Sequence, residues 1–133
     1  MYHYQCSTPS RICLFGEHQD YLGLEVISMA VNLRFTARIG LRQDGQVFLR
    51  IRDEADGALE SHDCHHIEMS FDLKQPIVYQ QNRDYLRSVF SVLLRLGYPV
   101  DSGFDITMDS EIPIGKGMCS SSTMVIVLIK AVL

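Results

Sequence analysis

Two short segments carry residue types that can do chemistry. Near the start, Arg11 is followed by Gly16-Glu17-His18-Gln19-Asp20-Tyr21. The two carboxylates, with an imidazole and a phenol beside them, can hydrogen-bond a polyhydroxylated ligand. An arginine can stabilise charge that develops on a phosphoryl group. Taken alone, the segment reads more simply as a solvated surface loop. The second segment is Pro113-Ile114-Gly115-Lys116-Gly117-Met118-Cys119-Ser120-Ser121-Ser122, lying between an alternating stretch and an apolar tail. Glycines let backbone approach an anion without a Cβ clash. The unpaired N–H groups and dipole of a following helix favour negative charge. Serine hydroxyls add hydrogen bonds or ligate a hard cation such as Mg2+. A Walker A loop would need Ser or Thr after Lys116, where Gly117 stands, and a dinucleotide fingerprint would need Gly in place of Ser120. A flexible Gly/Ser turn with ordinary N-capping accounts for this segment equally well on its own.

The elements that must position these loops are legible as changes of period. Residues 4–15 read as extended chain with a kink at Thr8-Pro9, and residues 16–23 as a polar loop closed by Gly23. From Val26 to Arg38 the chain is apolar and β-branched, and Leu33, Phe35, Ala37 and Ile39 alternate as on a half-buried strand. Gln43-Asp44-Gly45-Gln46 is a turn signal. Val47, Leu49 and Ile51 alternate with Phe48, Arg50 and Arg52, predicting a strand paired as a hairpin with the one before. Residues 53–65 read as a polar loop and Ile67–Leu73 as a further strand. Between Asn82 and Leu96, Tyr85, Leu86, Val89, Phe90, Leu93 and their neighbours fall at spacings of three and four, which predicts an amphipathic helix stopped by Gly97 and Pro99. Phe104, Ile106 and Met108 alternate again. The tail from Met124 to Leu133, preceded by serines, predicts a buried helix of roughly 12–14 residues. Strands with two late helices make the fold class α+β.

Composition narrows the function classes. The chain has 133 residues, 47% of them hydrophobic, with 12 basic against 16 acidic residues. It suits about one globular domain. A net charge of −4 argues against a nucleic-acid binder, which needs clustered Lys and Arg. The start has no cationic region followed by an apolar run, and the longest apolar run is far short of the ~20 residues of a membrane span. Cys6, Cys13, Cys64 and Cys119 form no CxxC pair and read as free thiols. A cytoplasmic protein without membrane contact is expected. His62-Asp63-Cys64-His65-His66 has the residue types of a zinc site. Adjacent His65 and His66 point to opposite sides of an extended chain, and no second cluster completes four ligands. The segment reads instead as a polar connecting loop, with a small metal-binding protein as an alternative reading of the whole chain.

Together the two segments resemble the GHMP kinases, a family that includes galactokinase, homoserine kinase, mevalonate kinase and phosphomevalonate kinase. Arg11-Ile12-Cys13-Leu14-Phe15-Gly16-Glu17-His18-Gln19-Asp20-Tyr21 is similar to the galactokinase signature, and Pro113 to Ser122 is similar to the family's phosphate loop. The resemblance implies ATP-dependent phosphorylation of a sugar hydroxyl, with ATP and Mg2+ as cosubstrate and ion. It implies a mostly antiparallel sheet with helices packed on one face, like the second domain of ribosomal protein S5. Arg11 would match the arginine that stabilises the transferring phosphoryl group. Glu17, His18, Asp20 and Tyr21 would match sugar contacts. Gly115, Gly117, Met118, Cys119, Ser120 and Ser121 would wrap the ATP phosphates, with Ser120 or Ser121 near Mg2+.

Several positions depart from the family pattern. Met118 stands for Leu, Cys119 for Gly or Ser, and Gln19 for Thr. In the register where galactokinases place an aromatic-x-Asn-Tyr near adenine, only Tyr85 matches, and core packing is the simpler reading of it. Such enzymes also carry a catalytic Asp and a third glycine-rich motif well beyond the phosphate loop, and the chain ends soon after Ser122. The expectation is therefore a truncated N-terminal GHMP kinase domain spanning residues 1–133 without its C-terminal domain, inactive alone. A non-catalytic sugar or nucleotide sensor on the same fold is the alternative. The apolar tail, short of packing partners, predicts a homodimer or larger assembly.

Overall fold

The computed structural model describes residues 4–53, 67–112 and 118–133. Five strands, β1 (Tyr4–Phe15), β2 (Ile27–Arg42), β3 (Gln46–Asp53), β4 (Ile67–Asp72) and β5 (Gly103–Ser110), make one sheet with the order β1-β2-β5-β3-β4. Two helices, α1 (Tyr85–Arg95) and α2 (Ser120–Val132), complete the α+β fold. All strand pairs are antiparallel except β3 with β5. No helix among the described residues is long and apolar enough to cross a membrane.

The extended segments expected from the sequence are strands, three of them marked by alternation, but the expected hairpin of β2 with β3 does not form. β5, which comes last, inserts between them. The linker Gln43–Gly45 permits this. Four Cα steps reach about 13 Å, while two strand spacings need only about 9.6 Å. β5 gains by the insertion because it is buried on both sides. Phe104, Ile106 and Met108 face the core, and Thr107 and Asp109 on the opposite side are also buried. Asp109 is held there by Arg38 from β2 and by Arg52 from β3, the latter at 3.6 Å.

The core lies between the sheet and the helices, formed by Phe35, Ala37 and Ile39 of β2, Val47, Leu49 and Ile51 of β3, and the apolar residues of β5. Helix α1 buries Leu86, Val89, Phe90 and Leu93, the spacing of one helical face. Phe90 meets Phe71 edge-on, with ring centroids 5.2 Å apart. Tyr85, read as a core residue, is exposed at the head of this helix. Gly97 ends α1 in the left-handed conformation (φ 79°). Its N–H donates to the Leu94 carbonyl at 3.1 Å, and the next N–H, of Tyr98, reaches the Leu93 carbonyl at 3.1 Å. Helix α2 is 13 residues long, as expected, but only half-sunk: Thr123, Val127 and Leu128 are buried while Ile126 is exposed. The uniformly apolar tail concealed which face turns inward.

The head of α1 holds a buried ion pair. Asp84 caps the helix by accepting from the Arg87 N–H at 3.3 Å and from the Gln80 N–H at 3.1 Å, and it pairs with the Arg87 guanidinium at 2.9 Å. Burial alone would push the Asp84 carboxyl up. The Gln80 N–H and the contacts with Arg87 outweigh it and hold the carboxyl below its usual value. A depressed carboxylate stabilises the fold above its unfolded pKa, near 4, and that contribution fades as pH falls through the depressed value. Asp84→Asn is expected to cost about 3 kcal/mol in urea unfolding at neutral pH, because it leaves a buried guanidinium unpaired. The gap from wild type should narrow below about pH 4; a gap independent of pH would contradict this account.

Candidate functional site

The polar loop begins where β1 ends. Gly16 turns the chain with φ 85°, and a Cβ there would lie 2.7 Å from the Glu25 carbonyl oxygen, so only glycine fits. His18 follows in the left-handed region at φ 60°. The loop closes on itself through the Gln19 N–H to the Gly16 carbonyl at 3.1 Å and the Leu24 N–H to the Gln19 carbonyl at 3.2 Å. Asp20–Leu22 forms a single 3-10 turn. Folded this way, Arg11, Glu17, His18 and Asp20 line one hollow of about 180 Å3, together with Cys13 and Ser28. That is smaller than the ~300–1,000 Å3 of sites for drug-sized ligands, and it suits a small polar molecule. The Arg11 guanidinium lies 3.7 Å from the Glu17 carboxylate, both half-exposed, so each retains hydrogen-bonding capacity toward a ligand. Tyr21 stands outside the hollow, exposed to solvent.

The second segment is described from Met118 onward; Gly115 and Gly117 lie outside the described residues, as does His62–His66. The serines were expected to cap α2. The cap is Cys119, in the left-handed conformation at φ 55° with no side-chain capping bond, and Ser120 and Ser121 form the first turn. The Cys119 carbonyl accepts from both the N–H and the hydroxyl of Thr123, at 3.0 and 2.9 Å. The first-turn N–H groups of a helix have no partner within the helix. With two serine hydroxyls beside them, they make a donor set of the kind that holds phosphate oxygens.

β1 brings the two segments together. Arg11 pairs with Ala30 and Ser10 with Val31 of β2, and adjacent strand residues point to opposite faces. Arg11 opens into the hollow. Ser10, 1% exposed, turns the other way and donates its hydroxyl to the Met118 carbonyl, immediately before α2.

Comparison with known proteins bears directly on this arrangement. The galactokinase galactose-binding signature matches residues 3–40 and the GHMP kinases N terminal domain matches residues 84–133. The chain belongs to the GHMP kinase family. A galactokinase of Clostridium perfringens is 32% identical over 126 residues, covering 92% of this chain and 30% of the relative. The GHMP fold is equally clear in solved structures. Methanococcus jannaschii mevalonate kinase superposes with a TM-score of 0.72 at 29% identity, over 98% of this chain and 39% of its own. Lactococcus lactis galactokinase complexed with galactose superposes with a TM-score of 0.68 at 25% identity, over 93% and 30%. The chain thus spans roughly a third of the length of the relatives it matches.

Sequence reasoning about this GHMP kinase chain missed Ser10, Thr123 and Ser28. Each is a small polar residue whose placement depends on a partner far along the chain or on the pocket wall, and no local pattern marks it. The polar loop yields a stability contrast. Gly16→Ala should lower stability by about 1–3 kcal/mol in thermal or urea unfolding, through the forced left-handed conformation. Glu17→Ala should stay within about 1 kcal/mol of wild type, because its ion pair is exposed. Equal losses in the two variants would refute the geometry.

Proposed function

We propose that the chain is the N-terminal part of an ATP-dependent sugar kinase of galactokinase type, which transfers the γ-phosphoryl group of ATP to a sugar hydroxyl. The observation that carries this reading is the shared hollow of Arg11, Glu17, His18 and Asp20, on the same strand that anchors the head of α2. In this reading Glu17 and Asp20 accept hydrogen bonds from sugar hydroxyls, His18 adds a further contact, and Tyr21 meets the sugar from the rim. Arg11 offsets the charge of the phosphoryl group in transit. Backbone N–H groups from Gly115 and Gly117 through Met118, Cys119, Ser120 and Ser121 surround the ATP phosphates. The Ser120 or Ser121 hydroxyl oxygen ligates Mg2+, whose positive charge offsets that of the phosphates. What the reaction asks of these residues is positioning and charge stabilisation.

NMR titration of the 133-residue protein tests the reading. Sugars of the galactose type should shift the amides of Arg11, Glu17, His18 and Asp20. Mg·ATP should shift those from Met118 to Thr123. Affinity should be weak and no sugar phosphate should form. Robust turnover would overturn the assignment of the chain as an incomplete enzyme, and shifts confined to other residues would overturn the site.

The proposal extends to self-association. Ile126 and Leu133 of the apolar tail are exposed, as are Phe15, Leu22, Leu24, Ile27 and Met29 around the polar loop, and exposed apolar side chains favour self-association. Light scattering is expected to give a dimer or larger assembly, and a clean monomer at millimolar concentration would rule it out.

A further inference from the structure

The contact between Ser10 and Met118 joins residues 108 positions apart. Ser10 is a polar side chain almost without solvent access in an otherwise half-exposed stretch of β1. A buried hydroxyl left without a partner is costly, so its bond constrains whatever it reaches. What it reaches is the carbonyl of the residue just before Cys119, where the chain turns into α2. The same strand touches α2 at two further points. The Cys6 thiol lies 3.7 Å from the Val127 carbonyl, and the Lys130 ammonium donates to the Ser7 carbonyl at 3.4 Å. These fasten the body of the helix. Of these three bonds, the Ser10 bond is the one at its head. β1 is irregular at this point, with a register shift against β2 between Pro9 and Ser10. That shift sets the level along the sheet at which Ser10 and its neighbour Arg11 stand.

We propose that Ser10 is a positioning residue that holds the head of α2 at a set place relative to Arg11. The proposal rests on the kinase reading above and gives that site a residue the motif resemblance does not assign. Ser10 and Arg11 are joined by one peptide unit and point to opposite sides of the strand. Any displacement of Met118 away from Ser10 therefore changes where the first turn of α2 lies relative to the Arg11 guanidinium. Ser10 touches neither sugar nor phosphate; it sets the distance between the groups that do.

Two readouts on the 133-residue protein test this. The first needs no ligand. In Ser10→Ala, hydrogen exchange at the Thr123 amide, which bonds the Cys119 carbonyl, should quicken by about fivefold, the factor given by losing one ordinary hydrogen bond. Amides in the β2–β5 ladder should exchange as in wild type. The second readout is the split between ligands. Ser10→Ala should weaken the Mg·ATP-induced shifts from Cys119 to Thr123 and leave sugar-induced shifts at Glu17 and Asp20 unchanged, and Ser10→Thr, which keeps the hydroxyl, should restore them. Faster exchange throughout the molecule, or an unchanged Thr123 amide, would overturn the proposal. If wild type itself shows no Mg·ATP response, the kinase reading of the head of α2 fails, while exchange at Thr123 still decides whether Ser10 holds it.

Discussion

β5 is the strand with nowhere else to go. Phe104, Ile106 and Met108 on one side and Thr107 and Asp109 on the other are all buried, so an edge position would expose apolar surface or strand a carboxylate from its arginines. Taking the central place costs the β2–β3 hairpin and gains hydrogen bonding along both flanks. It also fixes where the chain leaves the sheet. The Glu111 N–H donates to the Arg34 carbonyl at 3.1 Å and the Glu111 carboxylate accepts from the Arg34 N–H at 3.0 Å. The end of β5 is thus tied to β2, the neighbour of β1, rather than to the far edge of the sheet.

Everything at the candidate site follows from that exit point. Among the described residues β1 is an edge strand paired with β2, with the polar loop folded at its end and α2 packed along it. Its alternation puts Ser10 toward the helix and Arg11 toward the hollow. A strand is well suited to this task, because consecutive side chains are held in opposite directions at a fixed rise. Two segments about a hundred residues apart become neighbours through one dipeptide.

Local chemistry was legible in the sequence, and long-range geometry was not. Period-two alternation located β2, β3 and β5, whose alternate residues Phe35, Ala37 and Ile39, Val47, Leu49 and Ile51, and Phe104, Ile106 and Met108 are buried, while β1 and β4 were legible only as extended chain. The i, i+3, i+4 pattern of Leu86, Val89, Phe90 and Leu93 located α1, and Gly97 its end. The two motif segments were visible because their chemistry needs particular residue types close together. The order of the strands was hidden because alternation records that a face is buried, not which strand lies beside it. Ser10 was hidden because a serine in a strand has no signature until its partner is known, and α2's buried face was hidden because the tail is apolar all round. Cys119 displaced the serines as cap through its left-handed backbone, which residue type alone does not announce.

The central claim is that the polar loop and the head of α2 form one site. Paramagnetic relaxation tests it most directly, with Mn2+ in place of Mg2+ in a complex with ATP and a sugar of the galactose type present. Mn·ATP at the head of α2 should broaden the amide signals of Arg11, Glu17, His18 and Asp20 along with those of Cys119 to Thr123, and the protons of the bound sugar as well. Broadening confined to α2, with the polar loop and the sugar still sharp, would show that the two segments do not share a site.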